Sequence, residues 1–307
     1  MPETIVVKGE HGLPYSKGLM AQSLSASGVA PERAYEVARA LESRLAEAGR
    51  AEIPVAELRS QVAEVLRERE GPEAAERFLD WEDLTRLDRP LVVLLGGAPG
   101  VGKSTLATLL AGRVGITRVI ATDAIRHVIR AFFSHDLMPA VHYSSFEAGA
   151  ALDPVPGLEG DRDIAGYLRQ VESVRTGAAA ILDRALLEGT PMILEGVHIV
   201  PGSVAPALRE RCVLVEAVVA IEQEDAHRSH FLLRGGDRPA DRYLDRFAEI
   251  RKLQDYLVER AQAAGAPVIE AANMDVALSE AMELVRGAVG AELRGGDHGA
   301  APRDGRR

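Results

Sequence analysis

The sequence predicts an α/β fold in which a parallel sheet is covered by helices on both faces, preceded by a small, mostly helical module. From Leu91 onward, short apolar runs alternate with helical patterns, which is typical of strands buried in a parallel sheet. The first run leads directly into a glycine-rich segment and then a helix. Before residue 85, apolar residues recur mainly at helical spacing. These observations predict two domains, a mainly helical one followed by one in which strands alternate with helices.

Length and composition exclude several classes of protein. The 307 residues, of which 47% are hydrophobic, are enough for one large domain or two unequal ones. No apolar stretch approaches the roughly 20 residues needed to cross a bilayer, and the N-terminus lacks a secretory signal pattern. The single cysteine, Cys212, excludes a disulfide framework, and the charge of −10 argues against nucleic-acid binding. We therefore expect a cytoplasmic protein with neither membrane nor nucleic-acid partners.

Residues 1–85 are expected to form the small module. A β-rich run over residues 4–8 is followed by a turn that contains glycine. The helical patterns after this turn each have one apolar face, and the third ends near Trp81. Each begins at a proline, a residue favoured in the first helical turn: Pro31, Pro54 and Pro72.

The second domain is expected to span residues 90–289. Helical patterns separate its candidate strands, so the strands should run parallel. These strands are rich in valine, isoleucine and leucine and lie at residues 91–95, 118–121, 192–194, 213–221 and 267–269. The remaining residues, 290–307, are rich in glycine, alanine, arginine and aspartate, and we expect a disordered tail there.

A phosphate-binding loop is the strongest motif in the chain. Residues 97–104 match G-x-x-x-x-G-K-[ST] in full, between a strand and a helix. Glycines let the backbone approach phosphate oxygens, and the successive N–H groups form an anion nest. Lys103 would add a catalytic charge between the β- and γ-phosphates, and Ser104 would ligate Mg²⁺. The expected nucleotide-binding residues are Gly97, Ala98, Pro99, Gly100, Val101, Gly102, Lys103, Ser104 and Thr105.

This loop alone does not distinguish a kinase from a switch or a motor. The sequence lacks the N-K-x-D motif with which GTPases bind guanine. An apolar run that ends in an acid, residues 192–195, is the best match to the metal-side carboxylate motif of nucleoside triphosphatases. The short, continuous chain after the loop favours a domain like that of the nucleoside-monophosphate kinases.

Two carboxylates follow candidate strands, at the sheet edge where open α/β proteins bind ligands. Asp123 follows the second strand and begins a helix. It could accept the proton of an acceptor hydroxyl or hold Mg²⁺ through water, or it could merely cap the helix. Glu195 ends the third strand and is expected to hold the metal's water shell. We take both as candidate catalytic and metal-side residues.

Acceptor-binding groups are expected nearby. Arg126 lies one helical turn after Asp123 and could bind an anion on the acceptor. His198 should face the same side as Gly196 if the strand continues, although a structural role is equally favoured. The polar segment of residues 136–145 contains aromatic residues and could cover the acceptor. An ordinary surface loop could have the same composition. The candidate acceptor-binding residues are Arg126, Arg130, His142, Tyr143, Ser144, Ser145 and His198.

An arginine cluster surrounds the segment Gly-Gly-Asp at residues 235–237. The glycines would act as a hinge, and the arginines could close over the transferring phosphates. Arg234 and Arg238 lie nearest the glycines and are expected to be catalytic. Arg238, Arg242 and Arg246 could instead form solvated pairs with acids three residues further on, and we expect Arg246 to be structural.

Several segments together resemble the archaeal-type 2-phosphoglycerate kinases. The phosphate loop is generic, but Glu-Gly-Val-His at residues 195–198 and Arg-x-x-Gln-Asp-Tyr at residues 251–256 are far more specific. The resemblance runs from about residue 4 to residue 287. The other segments that carry it are residues 13–18, 96–105, 122–126, 193–202 and 242–257.

This resemblance implies an N-terminal ATP-cone joined to a P-loop kinase domain. The enzyme would transfer the γ-phosphoryl group of ATP, with Mg²⁺, to the 3-hydroxyl of 2-phosphoglycerate, giving 2,3-bisphosphoglycerate. Its partner would be a small phosphorylated hydroxy acid, and a homo-oligomer is compatible with these features. In the ATP-cone-like module, Lys8 and Lys17 are candidates to bind a nucleotide. A kinase for another hydroxy acid or sugar phosphate, or a nucleotide-sensing ATPase regulator, remains the alternative.

Overall fold

A computed structural model describes residues 4–8, 11–49, 51–152, 161–204, 206–233 and 240–297. The chain divides into two compact units. The first, here the N-terminal unit, extends to Arg86 and includes Gly112–Gly115, and the second, the C-terminal unit, comprises the rest. No helix within these described ranges combines the length and apolarity needed to cross a membrane.

The N-terminal unit joins a small mixed sheet to helices. Its sheet has the order β2-β1-β3, in which β1 is antiparallel to β2 and parallel to β3. The strands are β1 (Ile5–Lys8), β2 (His11–Pro14) and β3 (Glu52–Pro54). The helices are α1 (Lys17–Ala26), α2 (Pro31–Glu47), α3 (Val55–Glu70) and α4 (Pro72–Thr85).

Apolar periodicity accounts for most of this unit. The apolar faces of α2 and α3 join Ile53 of β3 and Phe78 of α4 in one buried core. Three elements were missed by the sequence analysis: β2, whose first residues were taken for a turn, β3 and α1. Strand β3 is three residues long and buries Ile53 alone, so it shows no alternation. Helix α1 is capped by Ser16, whose side chain accepts a hydrogen bond from the backbone N–H of Leu19.

In the described part of the C-terminal unit, five strands form a sheet of order β5-β6-β4-β7-β8. They are β4 (Leu91–Gly96), β5 (Val119–Ala121), β6 (Met192–Glu195), β7 (Val213–Ala220) and β8 (Val268–Glu270). Every pairing is parallel, which confirms the predicted sheet. The chain runs from β4 to β5 and β6 on one side of it and then crosses to β7 and β8 on the other side, so the strand order reverses at β4. A ligand crevice is expected at the carboxyl end of such a strand.

Helices cover both faces of this sheet, as the sequence predicted. Every residue of β4 and β6 is buried. Ile125 of α6 and Val174 of α7 share a buried cluster with Leu94 and Leu194, while α11 and α12 pack on β7. The helices are α5 (Lys103–Val114), α6 (Thr122–Phe132), α7 (Arg162–Leu187), α8 (Pro206–Arg211), α9 (Glu224–Leu233), α10 (Ala240–Leu244), α11 (Phe247–Ala264) and α12 (Met274–Asp297).

The last helix corrects the predicted start of the tail. Helix α12 continues to Asp297, past residue 290, where the sequence suggested disorder. Val289 is buried, and Arg89 donates from Nε and Nη2 to the two carboxylate oxygens of Glu292. This bidentate pair anchors the helix beyond its apolar contacts. The remaining residues, 298–307, lie outside the described ranges.

Candidate active site

The phosphate-binding loop joins β4 to α5 at the crevice. Gly97 and Gly100 have φ angles of 149° and 89°, in the region that favours glycine. A Cβ on Gly97 would lie 2.5 Å from the carbonyl oxygen of Val219, and one on Gly100 would lie 2.2 Å from the ring of Phe231. The loop therefore packs so closely against β7 and α9 that only glycine fits at these two positions.

Lys103 and Ser104 begin α5, where the helix N-terminus attracts anions. Nζ of Lys103 donates to the carbonyl oxygen of Ala98 at 3.2 Å, so the ammonium group lies against the loop. Oγ of Ser104 donates to Oε1 of Glu195 at 2.9 Å. Glu195 is buried at the end of β6, and the pairing of β6 with β4 brings its carboxylate beside the loop.

The oxygens of Ser104 and Glu195 fit a magnesium ion. Mg²⁺ prefers hydroxyl and carboxylate oxygens, keeps several waters and takes few protein ligands. The described residues contain no group of three or more histidine, cysteine, aspartate or glutamate side chains placed to hold a metal. This pair therefore suits a cation bound mainly by phosphates and water, rather than one enclosed by the protein.

Asp123 lies in the first turn of α6, directly after β5. Burial raises the pKa of Asp123, but a 2.9 Å hydrogen bond from Nε of Arg126 and the charge of that arginine outweigh it, so the pKa lies below its usual value. The carboxylate is therefore ionised at neutral pH, with 53% of its side chain exposed. It does not cap the helix, because the N-cap is Ala121 and no side chain caps there.

A cavity of about 520 Å³ lies between the phosphate loop and the segment after α6. Lys103 and Ser104 line its nucleotide side, and Asp123 and Glu195 also face it. All the predicted acceptor residues except His198 lie on its wall: Arg126, Arg130, His142, Tyr143, Ser144 and Ser145. The fold thus brings the nucleotide-side and acceptor-side candidates into one space.

Arg126 holds the segment that follows α6. Its side chain is buried, and Nη1 donates to the carbonyl oxygens of Val141 and Tyr143 at 3.0 and 3.2 Å. Because Nε donates a hydrogen bond to Asp123, most of the N–H donors of Arg126 already have partners within the protein. This geometry differs from the predicted clamp on an acceptor anion. It makes Arg126 a bracket for the wall of the cavity.

A buried glutamine on α7 completes this bracket. Nε2 of Gln170 donates to the carbonyl oxygens of Ala140 and Tyr143 at 2.6 and 3.0 Å. Its Oε1 accepts a hydrogen bond from Oγ of Ser145 at 2.8 Å. Sequence analysis missed Gln170. A polar residue on the apolar face of a helix was the available signal, because a buried amide requires partners.

His198, for which an acceptor contact and a structural role were equally favoured, does not line this cavity, and its contacts support the structural role. His198 is buried, with Nδ1 2.9 Å from Oγ1 of Thr122 and Nε2 2.9 Å from Oε1 of Gln170. An amide oxygen only accepts, so Nε2 carries the proton. Burial lowers the pKa of His198 to about 3, which keeps the ring neutral. The alternation that we assumed fails because β6 ends at Glu195 and the next residue, Gly196, has a φ of 145°.

Helix α10 contributes two wall residues that the sequence analysis did not place on the acceptor side, Arg242 and Tyr243. Nη2 of Arg242 donates to Oγ of Ser144 at 3.1 Å and to Oε2 of Glu147 at 2.7 Å. Helical spacing had suggested a partner three residues further along the chain, at Asp245, which lies beyond the end of α10. The partners lie nearly a hundred residues away in sequence, so local spacing carried no signal for this contact.

The other members of the arginine cluster have different outcomes. Arg246 forms an ion pair with Glu249 at 2.9 Å, which is the pair that the spacing suggested. Arg234 and Arg238, which we predicted to be catalytic, lie outside the described residues.

Comparison with known proteins gives clear relatives, although no protein-family model matches the chain. The 2-phosphoglycerate kinase of Methanococcus maripaludis (strain C6) is 37% identical over 286 residues, covering 92% of this chain and 91% of the relative. The 2-phosphoglycerate kinase of Methanothermobacter thermautotrophicus is 36% identical over 305 residues, covering 96% and 98%. That of Methanocaldococcus jannaschii is 37% identical over 284 residues, covering 92% and 91%.

Solved structures give a weaker likeness. A shikimate kinase from Bacteroides thetaiotaomicron aligns with a TM-score of 0.38 and 14% identity, covering 64% of this chain and 98% of the other. A gluconokinase from Sinorhizobium meliloti 1021 aligns with a TM-score of 0.33 and 15% identity, covering 68% and 95%. TM-scores this low do not assign the chain to a family. The curated relatives, in contrast, are 36–37% identical over more than 90% of both chains, and on this ground the chain belongs to the 2-phosphoglycerate kinase family.

Proposed function

We propose that this protein is an ATP-dependent kinase that transfers the γ-phosphoryl group to the 3-hydroxyl of 2-phosphoglycerate, giving ADP and 2,3-bisphosphoglycerate. The observation that carries the proposal is the shared cavity, in which the phosphate loop faces cationic side chains of the acceptor side. Membership of a family whose curated members are named 2-phosphoglycerate kinase supports the same acceptor.

ATP would bind with its phosphates in the loop of residues 97–105. The backbone N–H groups and the N-terminus of α5 would attract the phosphate anions. Lys103 would exchange its bond to Ala98 for one to the β- and γ-phosphates, where negative charge accumulates. Because these donors are held by β4 and α5, they need little reorganisation during the reaction.

Mg²⁺ would be held by Ser104 directly and by Glu195 through water. When bound, the ion would neutralise charge on the β- and γ-phosphate oxygens. The 2.9 Å contact between Ser104 and Glu195 supports this assignment, since it brings a hydroxyl and a carboxylate to the phosphate side of the cavity. Asp123 lines the same cavity and could contact the ion's water shell.

The acceptor carries a phosphate and a carboxylate, so its site needs several cations and donors. Arg130 and Arg242 supply guanidinium groups on the cavity wall. His142, Tyr143 and Ser144 supply further polar groups there. Unphosphorylated glycerate lacks the phosphate that these cations would bind, so it should be the poorer acceptor.

In the transfer itself, the 3-hydroxyl oxygen forms a bond to the γ-phosphorus while the bond to the β–γ bridging oxygen breaks. We assign Asp123 to the hydroxyl, which it would orient and from which it would take the proton. The lowered pKa of Asp123 makes it a weak base. A weak base suits phosphoryl transfer, in which positioning and electrostatic stabilisation supply most of the catalysis.

Measurement of ADP release with different acceptors tests the proposal. We expect turnover with 2-phosphoglycerate, at least about 10-fold less with glycerate, and none after chelation of Mg²⁺. Faster turnover with 3-phosphoglycerate or a sugar phosphate would point to a different kinase. Slow ADP release that no acceptor accelerates would point to a nucleotide-sensing ATPase.

A further inference from the structure

Helix α9 presents two histidines, one turn apart, to the phosphate loop. Nε2 of His227 lies 2.9 Å from the carbonyl oxygen of Pro99. Nδ1 of His230 lies 3.2 Å from the carbonyl oxygen of Gly100. A carbonyl oxygen only accepts hydrogen bonds, so each ring nitrogen must carry a proton and donate it. Two successive carbonyl groups of the loop are therefore held by one helix.

These bonds set the direction of the loop's N–H groups. A peptide unit is planar and trans, so its C=O and N–H bonds point in opposite directions. Holding the carbonyl of Pro99 toward α9 turns the N–H of Gly100 away from it. Holding the carbonyl of Gly100 does the same for the N–H of Val101. Outward carbonyls and inward amides are the arrangement that an anion-binding loop requires.

The environment of His227 shows that its donor matters more than its packing. The ring is fully buried, stacked on Phe231 with centroids 5.5 Å apart and edge-on to Phe247 at 5.3 Å. Its Nδ1 is buried and has no hydrogen-bond partner among the described residues. A phenylalanine would fill this aromatic cluster without that unpaired nitrogen. The histidine is therefore explained by its one bond, to Pro99.

The contact between α9 and the loop leaves little room for an alternative loop conformation. The ring of Phe231, one turn after His227, occupies the place that a Cβ on Gly100 would need.

Burial lowers the pKa of His227, and the bond to Pro99 opposes this shift only in part. The ring is therefore neutral at physiological pH, with a single proton to donate.

We propose that His227 and His230 are positioning residues that orient the two peptide units between Pro99 and Val101 for the nucleotide phosphates. The inference rests on the proposed binding of ATP to this loop. It adds that the loop depends on side chains more than a hundred residues away for its active conformation. Neither histidine needs to contact the nucleotide.

The decisive variant is His227→Phe, which removes the donor and keeps the ring. We expect the dissociation constants of ATP and of inorganic tripolyphosphate to rise about 10-fold, because fewer amides face the phosphates. We expect the melting temperature to stay the same or rise, because the unpaired Nδ1 disappears. A merely structural histidine would instead give a lower melting temperature with unchanged affinity for both ligands, and that result would overturn the proposal.

Three further proteins complete the test. His227→Gln keeps an N–H donor and should recover part of the tripolyphosphate affinity, while His230→Leu should weaken binding less than His227→Phe. Ser229→Ala is the matched control on the exposed face of α9, and should bind both ligands as the wild type does. Failure of the wild type to bind ATP would refute the proposed function. Normal wild-type binding with unchanged His227→Phe binding would refute this inference alone.

Discussion

The nucleotide side and the acceptor side of the cavity are built in different ways. The nucleotide side is one continuous segment, residues 97–105, and its backbone supplies most of the polar groups. The acceptor side combines side chains from α6, the segment after it and α10, and Gln170 of α7 holds that segment in place. A site made from backbone is compact in sequence, whereas a site made from side chains depends on contacts between distant elements.

The two sides also differ in how their polar groups are satisfied. Lys103 and Ser104 each make a contact that a ligand can replace. On the acceptor side, Arg126, Gln170 and His198 are bonded mainly to other protein groups. Changes on the nucleotide side should therefore alter the chemical step and leave the fold intact. Changes on the acceptor side should alter substrate affinity or stability.

The largest expected effect is on the nucleotide side. Lys103→Ala should lower kcat by about 10³-fold, because it removes the charge that stabilises the transferring phosphoryl group. ADP release gives the rate, and circular dichroism should show an unchanged fold. Lys252→Ala is the control, since Nζ of Lys252 pairs with Asp163 at 2.8 Å. A near-native rate for Lys103→Ala would remove the loop from the mechanism.

Asp123→Asn should lower kcat by about 10²-fold, because it removes the charge that orients and deprotonates the acceptor hydroxyl. The amide oxygen can still accept the bond from Arg126, so the bracket on the cavity wall should survive. The affinity for ATP, measured by calorimetry, should stay within about two-fold of the wild type. A loss of ATP affinity as large as the loss of kcat would contradict the assignment.

The acceptor side should make stability depend on pH. His198 has a pKa of about 3 in the folded protein, against 6.5 for an ordinary imidazole. As the pH falls below 6.5, the unfolded chain binds a proton that the folded chain does not, so stability is lost as the pH drops toward the folded value. Between pH 7 and pH 5 this loss should be about 2 kcal/mol.

Urea unfolding of the wild type and of His198→Gln at pH 7 and pH 5 measures this loss of stability. The variant is expected to be less stable at neutral pH but to lack this part of the pH dependence. Identical pH dependence in both proteins would show that His198 is not held neutral in the fold.

Arg242→Ala should raise the KM for 2-phosphoglycerate about 10-fold with little change in kcat, because it removes a cation from the acceptor wall. Steady-state kinetics with saturating ATP measures this. Arg246→Ala is the matched control in the same region, since Arg246 pairs with Glu249 instead. Equal effects of the two variants would mean that Arg242 has no special role toward the acceptor.

The smallest effect is expected from the N-terminal unit, which we propose to modulate the kinase without taking part in its chemistry. The double variant Lys8→Ala/Lys17→Ala should change the apparent ATP affinity about 5-fold, the lower end of typical coupling between sites. Sigmoidal or substrate-inhibited ATP dependence in the wild type should disappear in the variant. Glu42→Gln, which removes the 3.1 Å partner of Lys17, separates loss of this ion pair from loss of the lysine. Identical hyperbolic curves would leave the unit with a structural role.

The accuracy of the sequence analysis followed the range of the interactions involved. The strands of the parallel sheet were predicted because each is a local run of apolar residues. Strand β3 was missed because its place is set by pairing with β1, not by a pattern of its own. The side that His198 faces could not be predicted by strand alternation, because β6 ends at Glu195 and the backbone turns at Gly196. Local patterns show where an element begins more reliably than how the chain leaves it.

By itself, the sequence determined the α/β class, the phosphate loop with Lys103 and Ser104, and the carboxylates Asp123 and Glu195. Each of these follows from apolar periodicity or from a contiguous motif, which folding does not need to assemble from distant parts. Only the tertiary structure decided which side chains line the acceptor side of the cavity and which are buried behind it in hydrogen bonds to other protein groups. Gln170 meets His198 across 28 residues and Arg242 meets Glu147 across 95. Burial requires every such polar group to find a partner, and the choice of partner is made by packing.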